Sequence, residues 1–258
     1  MEKKIVEVGG LKLGKDPVII AGPCSIESKE HIMEEARALS QMGVHILRGG
    51  AYKPRTSYES FKGLGYEAAV YLREAGDEYN LPVITEVMSE YDIERLYPLV
   101  DIFQVGSRNM YNYALLERLG RQDKPVLLKR GFSATTQEWI GASQYILAGG
   151  NEGVIFCERG IRGFDPSFRN TLDLAGAALV QRETGRPTIV DPSHATGRKD
   201  MVIPLAKASL AMGLDGIMVE VHPRPDEALS DGDQSLDYQA FEDLMNPVSY
   251  THLRAHET

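Results

Sequence analysis

PVLLKRGFSATTQEWIGASQYILAGGNEGVIFCERG, residues 125–160, reads as a strand, a helix and a second strand. Its outer runs, PVLLK at 125–129 and GVIFCE at 153–158, are apolar without polar alternation, as suits strands covered on both faces. The stretch between them is long enough for the helical crossover that parallel strands need, and Trp139 is placed as a packing residue on that helix. The same unit recurs on either side. Toward the N-terminus lie PVIIA at 17–21, HILR at 45–48, PVITE at 82–86 and DIFQV at 101–105; toward the C-terminus, PTIVD at 187–191 and GIMVE at 216–220. SKEHIMEEARALSQMG opens on a cap-like Ser28 and closes at Gly43, and YEAAVYLREAGDEYN spaces its apolar residues as a helix does. Eight such units in 258 residues predict the α/β class and a closed (β/α)8 barrel, the TIM-barrel architecture. An open doubly wound sheet is the alternative, but no GxGxxG follows the first run to support its dinucleotide-binding form.

The segments outside the barrel are short. IVEVGGLKL at 5–13 predicts a hairpin around Gly9-Gly10, covering one end of the barrel, so residues 1–16 form a hairpin and 17–245 the catalytic barrel. Residues 246–258 include NPVSYTHLRAHET, with Pro247 and no apolar periodicity, and read as a tail foreign to the barrel that cuts short its closing helix.

Charge and cysteine usage exclude several function classes. A net charge of -9 argues against a nucleic-acid or anionic-membrane partner, so any phosphate site is a local basic pocket in an acidic protein. Two cysteines, Cys24 and Cys157, are too few for a disulfide framework, and no signal peptide or membrane-spanning run is present, which points to the cytoplasm. Cys157 reads as a small buried strand residue, with a redox pairing to Cys24 as the sharper alternative.

In a (β/α)8 barrel the residues at the carboxyl ends of the strands share one space. Those ends carry Cys24, Arg48, Glu86, Arg108, Lys129, Glu158-Arg159, His194 and Glu220, with Asp231 in the loop after the last strand. Cys24, His194, Glu220 and Asp231 offer a thiolate, an imidazole and two carboxylates, donors suited to Mn, Fe, Co or Zn. Their spacing matches no metal motif, and the plainer reading is a buried cysteine, a core histidine and solvated carboxylates. The second subset is cationic: Arg48, Lys53, Arg55, Arg108, Lys129 and Arg159. Converging cations repel unless an anion sits among them, and phosphate or carboxylate is the natural guest, though each cation taken singly could be merely solvated. Gly49, Gly50, Pro54 and Thr56 in GGAYKPRTS make a loop whose backbone and hydroxyl can approach a phosphate.

AGPCSIES, RGGAYKPRTS, DIFQVGSRNM, LLKRG, CERG, DPSHATG and MVEVHPRPDEALSDG, between Pro17 and Asp243, resemble the class I 3-deoxy-arabino-heptulosonate 7-phosphate (DAHP) synthases, in the shorter, barrel-only subgroup. The resemblance implies a condensation of phosphoenolpyruvate with erythrose 4-phosphate and water that releases phosphate, the first step of the shikimate pathway. It implies one divalent metal, Mn favoured, on Cys24, His194, Glu220 and Asp231. Arg48, Lys53, Arg108, Lys129 and Arg159 would hold phosphoenolpyruvate, and Lys53-Pro54-Arg55-Thr56 the erythrose 4-phosphate. Lys129, His194 and Cys24 would be the catalytic residues, the first two also as proton carriers, and the assembly a homo-oligomer, dimer or tetramer. The sibling octulosonate synthases have a loop resembling KANRS where this chain has KPRT. An N-terminal regulatory domain found in some relatives is not expected here, nor is feedback inhibition by Tyr or Phe. Two readings compete: a sibling synthase using a longer aldose phosphate, and a binding barrel that takes phosphoenolpyruvate but releases no phosphate.

Overall fold

Four of the predicted runs begin with proline, at 17, 82, 125 and 187, and in the computed structural model each of these strands starts one residue later. Proline has no N–H to give a ladder, but it can accept: the carbonyls of Pro82, Pro125 and Pro187 each take a hydrogen bond from the strand before, at 2.9 Å. The structure describes residues 2–53, 59 and 61–246.

Eight parallel strands close into a barrel: β3 (Val18–Gly22), β4 (Ile46–Arg48), β5 (Val83–Glu86), β6 (Ile102–Val105), β7 (Val126–Lys129), β8 (Val154–Glu158), β9 (Thr188–Val190) and β10 (Gly216–Glu220). β10 pairs with β3 over five residues, Gly216 opposite Val18 through Glu220 opposite Gly22, which shuts the ring. The helices wrap the outside in chain order: α1 (Lys29–Gln41), α2 (Tyr66–Glu78), α3 (Glu90–Leu96), α4 (Tyr113–Gly120), α5 (Thr136–Ala148), α6 (Leu174–Thr184), α7 (Pro192–Thr196), α8 (Lys199–Ala211) and α9 (Tyr238–Met245). Ser28 caps α1 by accepting from His31 N at 3.1 Å, and Thr135 and Glu138 form a reciprocal capping box on α5. Trp139 is fully buried against Phe156, its Nε1 donating to Leu128 O at 3.1 Å, so it packs α5 onto the barrel as expected.

Side chains alternate along each strand, and this divides the core in two. The larger part lies between sheet and helices and includes Leu47, Val83, Phe103, Leu128, Phe156 and Val219. The smaller part fills the barrel itself with Ile20, Ile46, Ile84, Ile102, Leu127, Ile155, Cys157, Ile189 and Met218. The N-terminal hairpin, β1 (Val6–Val8) and β2 (Leu11–Leu13), turns at Gly9 and Gly10, both at positive φ, and adds Val6, Val8 and Leu13 to this inner core. It therefore stoppers the end of the barrel away from the strands' carboxyl ends.

Candidate active site

One step of two residues beyond the inner core, the inward positions change character. Ile46 is followed by Arg48, Ile84 by Glu86, Ile102 by Gln104, Leu127 by Lys129, Cys157 by Arg159, Ile189 by Asp191 and Met218 by Glu220. The alternation that builds the core thus aims a ring of polar groups into one cavity, lined by Cys24, Arg48, Lys53, Glu86, Gln104, Ser107, Lys129, Phe132, Arg159 and His194. Glu158 has the opposite parity and faces the helices, where it binds Arg130 at 2.9 Å. Arg108 is exposed at the rim and stacks 5.3 Å from the centroid of Phe132. Pro54, Arg55 and Thr56 lie outside the described residues.

On one side of the cavity, ligand atoms of Cys24, His194, Glu220 and Asp231 all lie within 4.8 Å of one another. Cys24 Sγ donates to Asp231 Oδ2 at 3.0 Å, and His194 Nε2 is 3.2 Å from Glu220 Oε1. Glu220 also accepts from Arg48 Nη1 at 2.8 Å and Gln234 Nε2 at 2.6 Å. Burial works to raise the Glu220 carboxyl, but its neighbours His194, Arg48 and Lys53 bring it down to about 2. Burial pushes His194 down to about 4, leaving a neutral imidazole. Asp231, in spite of burial, is held well below the usual carboxylate range by Lys53 and by its hydrogen bonds. Burial, together with the Glu220 charge, pushes the Cys24 thiol up.

This donor set fits a divalent cation. Two carboxylates are ionised and the imidazole has a lone pair to offer. Its Nδ1 is engaged by Asp191 at 2.7 Å, so Nε2 and Glu220 Oε1 meet as two acceptors, a contact that a shared positive ion reconciles. A cation would also supply the charge needed to make Cys24 a thiolate. Lys53 demonstrates the match, its ammonium touching both Cys24 Sγ and, at 3.0 Å, Asp231 Oδ2. Glu27, His31 and His222 form a second grouping within the same separation. There His222 Nδ1 accepts from Arg224 N at 3.1 Å, which puts the proton of the neutral ring on Nε2 and leaves no lone pair facing Glu27 and His31.

The other side is cationic and deeply buried. Arg48, Lys129 and Arg159 are 4 %, 4 % and 3 % exposed, which for such residues demands partners. Arg48 has Glu220, and Lys129 has Asp191 at 2.6 Å. Arg159 differs: Gly160 O accepts from it at 3.3 Å, and Asn170, with its amide oxygen turned inward, at 3.0 Å. Among the described residues no carboxylate pairs with it at salt-bridge distance, and burial lowers its affinity for the proton. A buried guanidinium of this kind, beside Lys129 and within reach of Arg48, is built to receive an anion.

Sequence reasoning missed Asp191 and Gln104. Both were within the quoted runs PTIVD and DIFQV, and the period of two, continued past Ile189 and Ile102, points at each of them.

Comparison with known proteins identifies the family. The model of the DAHP synthetase I family matches residues 3–253. A phospho-2-dehydro-3-deoxyheptonate aldolase of Thermotoga maritima is 50% identical over 248 residues, covering 96% of this chain and 73% of that protein. The crystal structure of a Thermotoga maritima DAHP synthase superposes with a TM-score of 0.93 at 48% identity, over 97% of this chain and 74% of that one. A 2-dehydro-3-deoxyphosphooctonate aldolase of Rhodopseudomonas palustris is more distant, 32% identical over 267 residues, with 95% of this chain and 91% of that protein covered. By the family match and by the half-identical relative, the chain belongs to the DAHP synthetase I family.

Proposed function

We infer that the chain is a DAHP synthase that joins phosphoenolpyruvate to erythrose 4-phosphate with water and releases inorganic phosphate, the entry reaction of the shikimate pathway. The observation that carries this reading is the buried Arg159, which among the described residues has no carboxylate partner, set beside Lys129 in the same cavity as metal-type donors. Cys24, His194, Glu220 and Asp231 would hold one divalent ion, Mn²⁺ in preference to Fe, Co or Zn. When bound, the ion supplies Lewis acidity that makes the aldehyde of erythrose 4-phosphate electrophilic.

Arg48, Lys53, Arg108, Lys129 and Arg159 hold the phosphate and carboxylate of phosphoenolpyruvate, and Lys53, Pro54, Arg55 and Thr56 the aldose phosphate. Fixed cations offset the mutual repulsion of the two anions and bring C3 of the enol phosphate against the aldehyde carbon. As that C–C bond forms, the aldehyde oxygen takes up a proton and C2 becomes cationic. Water adds at C2, losing a proton, and the hemiketal phosphate breaks its C–O bond to release phosphate. Lys129, with Nζ inside the cavity, carries a proton in this sequence, and His194 is placed to assist.

The acidic chain binds small phosphorylated molecules rather than nucleic acid, and no described helix is long and apolar enough to cross a membrane. Action in the cytoplasm accords with two free cysteines. Assembly into a dimer or tetramer accords with exposed Tyr111, Tyr113 and Tyr145 around α4 and α5, the last two stacked at 4.3 Å.

The test is phosphate release from phosphoenolpyruvate with erythrose 4-phosphate, before and after EDTA and again after adding Mn²⁺. Activity that EDTA removes and Mn²⁺ restores supports the reading. Release with arabinose 5-phosphate instead identifies the octulosonate-type enzyme, and binding of phosphoenolpyruvate with no release under either aldose identifies a binding barrel.

A further inference from the structure

The two sides of the cavity are joined by one side chain. Asp191 is fully buried just past the end of β9, where its backbone N–H donates to Glu158 O at 2.7 Å. Its Oδ2 lies 2.6 Å from Lys129 Nζ and 2.7 Å from His194 Nδ1, while Oδ1 accepts from His194 N at 3.0 Å. Every carboxylate oxygen is therefore engaged by a group that the proposed reaction uses.

We propose that Asp191 is a positioning residue for both halves of the site, fixing the tautomer of His194 for metal binding and the reach of Lys129 for phosphoenolpyruvate. The reading rests on the function inferred above. A carboxylate facing Nδ1 holds the proton there and turns the Nε2 lone pair toward Glu220 and the other donors. The same oxygen anchors Lys129, whose four-carbon stem would otherwise give Nζ several positions in the cavity. The competing explanation is local: Asp191 is also the N-cap of the short helix α7. Asparagine caps as well as aspartate does. It cannot, however, accept on both sides: with its oxygen toward Lys129 and His194 Nδ1, its NH₂ faces the N–H of His194.

Asp191→Asn therefore separates the two roles. Mn²⁺ binding, followed by calorimetry or by the EPR signal of the free ion, is expected to weaken on the order of 10- to 100-fold. Phosphoenolpyruvate binding at saturating Mn²⁺ is expected to weaken in Asp191→Asn, and the same substitution to have no further effect on it in a Lys129→Met background. Unchanged Mn²⁺ affinity in the folded variant, or additive effects with Lys129→Met, overturns the proposal. Should the variant fail to fold, ¹⁵N NMR of the unaltered protein decides: His194 is expected with its proton on Nδ1, and a proton on Nε2 refutes the assignment. None of these readouts requires turnover, so a failure of the proposed reaction and a failure of this role are told apart.

Discussion

Lys129 and Arg159 reach the cavity from neighbouring strands, and their partners differ in kind. Lys129 is anchored by a carboxylate, whereas Arg159 has a backbone carbonyl, an amide and the Phe132 ring as partners and, among the described residues, no carboxylate at salt-bridge distance. Arg159→Ala is accordingly expected to raise the KM for phosphoenolpyruvate by roughly ten- to a hundred-fold, the value of one or two charge-assisted hydrogen bonds. Steady-state kinetics at fixed erythrose 4-phosphate measure it, and a KM left unchanged would remove Arg159 from the substrate site. Lys129→Met is expected to abolish turnover while metal content, read by elemental analysis, stays that of the parent; retained activity would refute its role in proton transfer. At this scale the sequence was most legible where residue chemistry is distinctive. The thiol, imidazole and guanidinium groups at strand ends stood out, and the structure brings Cys24, Arg48, Arg159 and His194 into one cavity while leaving Arg108 exposed at its rim. Asp191 and Gln104 did not stand out, because an Asp before Pro-Ser-His reads as a turn residue and a Gln amid apolar residues as nothing in particular. Only the direction of each side chain reveals them, and direction follows from parity, not from residue type.

Glycines at the ends of the elements serve the site in a way the sequence does not show. Gly49 and Gly50 read as a place for backbone to approach a phosphate, and both do line the cavity. Their neighbours supply a second reason: a Cβ on Gly50 would fall 2.2 Å from Cys24 O, and one on Gly49 2.7 Å from Ile26 Cδ1. The turn after β4 therefore lies directly on the segment that presents Cys24. Gly50→Ala is expected to cost about 1–3 kcal/mol, because backbone must move. It should also loosen Mn²⁺ binding by displacing Cys24. Chemical denaturation and metal titration of the same preparation check both, and a variant with parental stability and affinity would show that the loop accommodates the methyl group freely. These contacts join residues 26 and 23 positions apart in sequence, beyond what any local pattern encodes. The prolines before strands show the opposite case. Their effect is local, and they marked the strand starts to within one residue.

For the whole molecule, the pattern of eight apolar runs pointed to a parallel sheet covered on both faces, and of the two arrangements that suit such runs, a closed barrel and an open doubly wound sheet, the structure has the barrel. What the runs could not show is the buried polarity outside the barrel. Glu35 on α1 is fully buried, 3.2 Å from His31, in a cluster with Glu27, His222 and Tyr238. Burial pushes its carboxyl up from 4.5 to about 7, against the opposing pull of His31. Burial works to lower His31, but Glu35 outweighs it and holds His31 above its ordinary value. Both groups bind protons more tightly folded than unfolded, so their contribution is complete at low pH and is lost as pH rises. For Glu35 the loss runs from 4.5 through about 7. Its size is at most about 3 kcal/mol. Stability measured by denaturation is expected to decline across this window, and Glu35→Gln to flatten the decline. An equally steep profile in that variant would assign the dependence elsewhere.

The pairing of β10 with β3 has one more consequence. Cys24 follows the first barrel strand, whereas Glu220 ends the last and Asp231 lies beyond it, so the four donors straddle the join of the ring. A ribosome must deliver nearly the whole barrel before these atoms can meet. An ion held by them would act as a clasp on a bracelet, favouring the circular arrangement over any in which the two ends have parted. Chemistry at this site is in that sense an assay of completeness, available only to a chain that has come full circle.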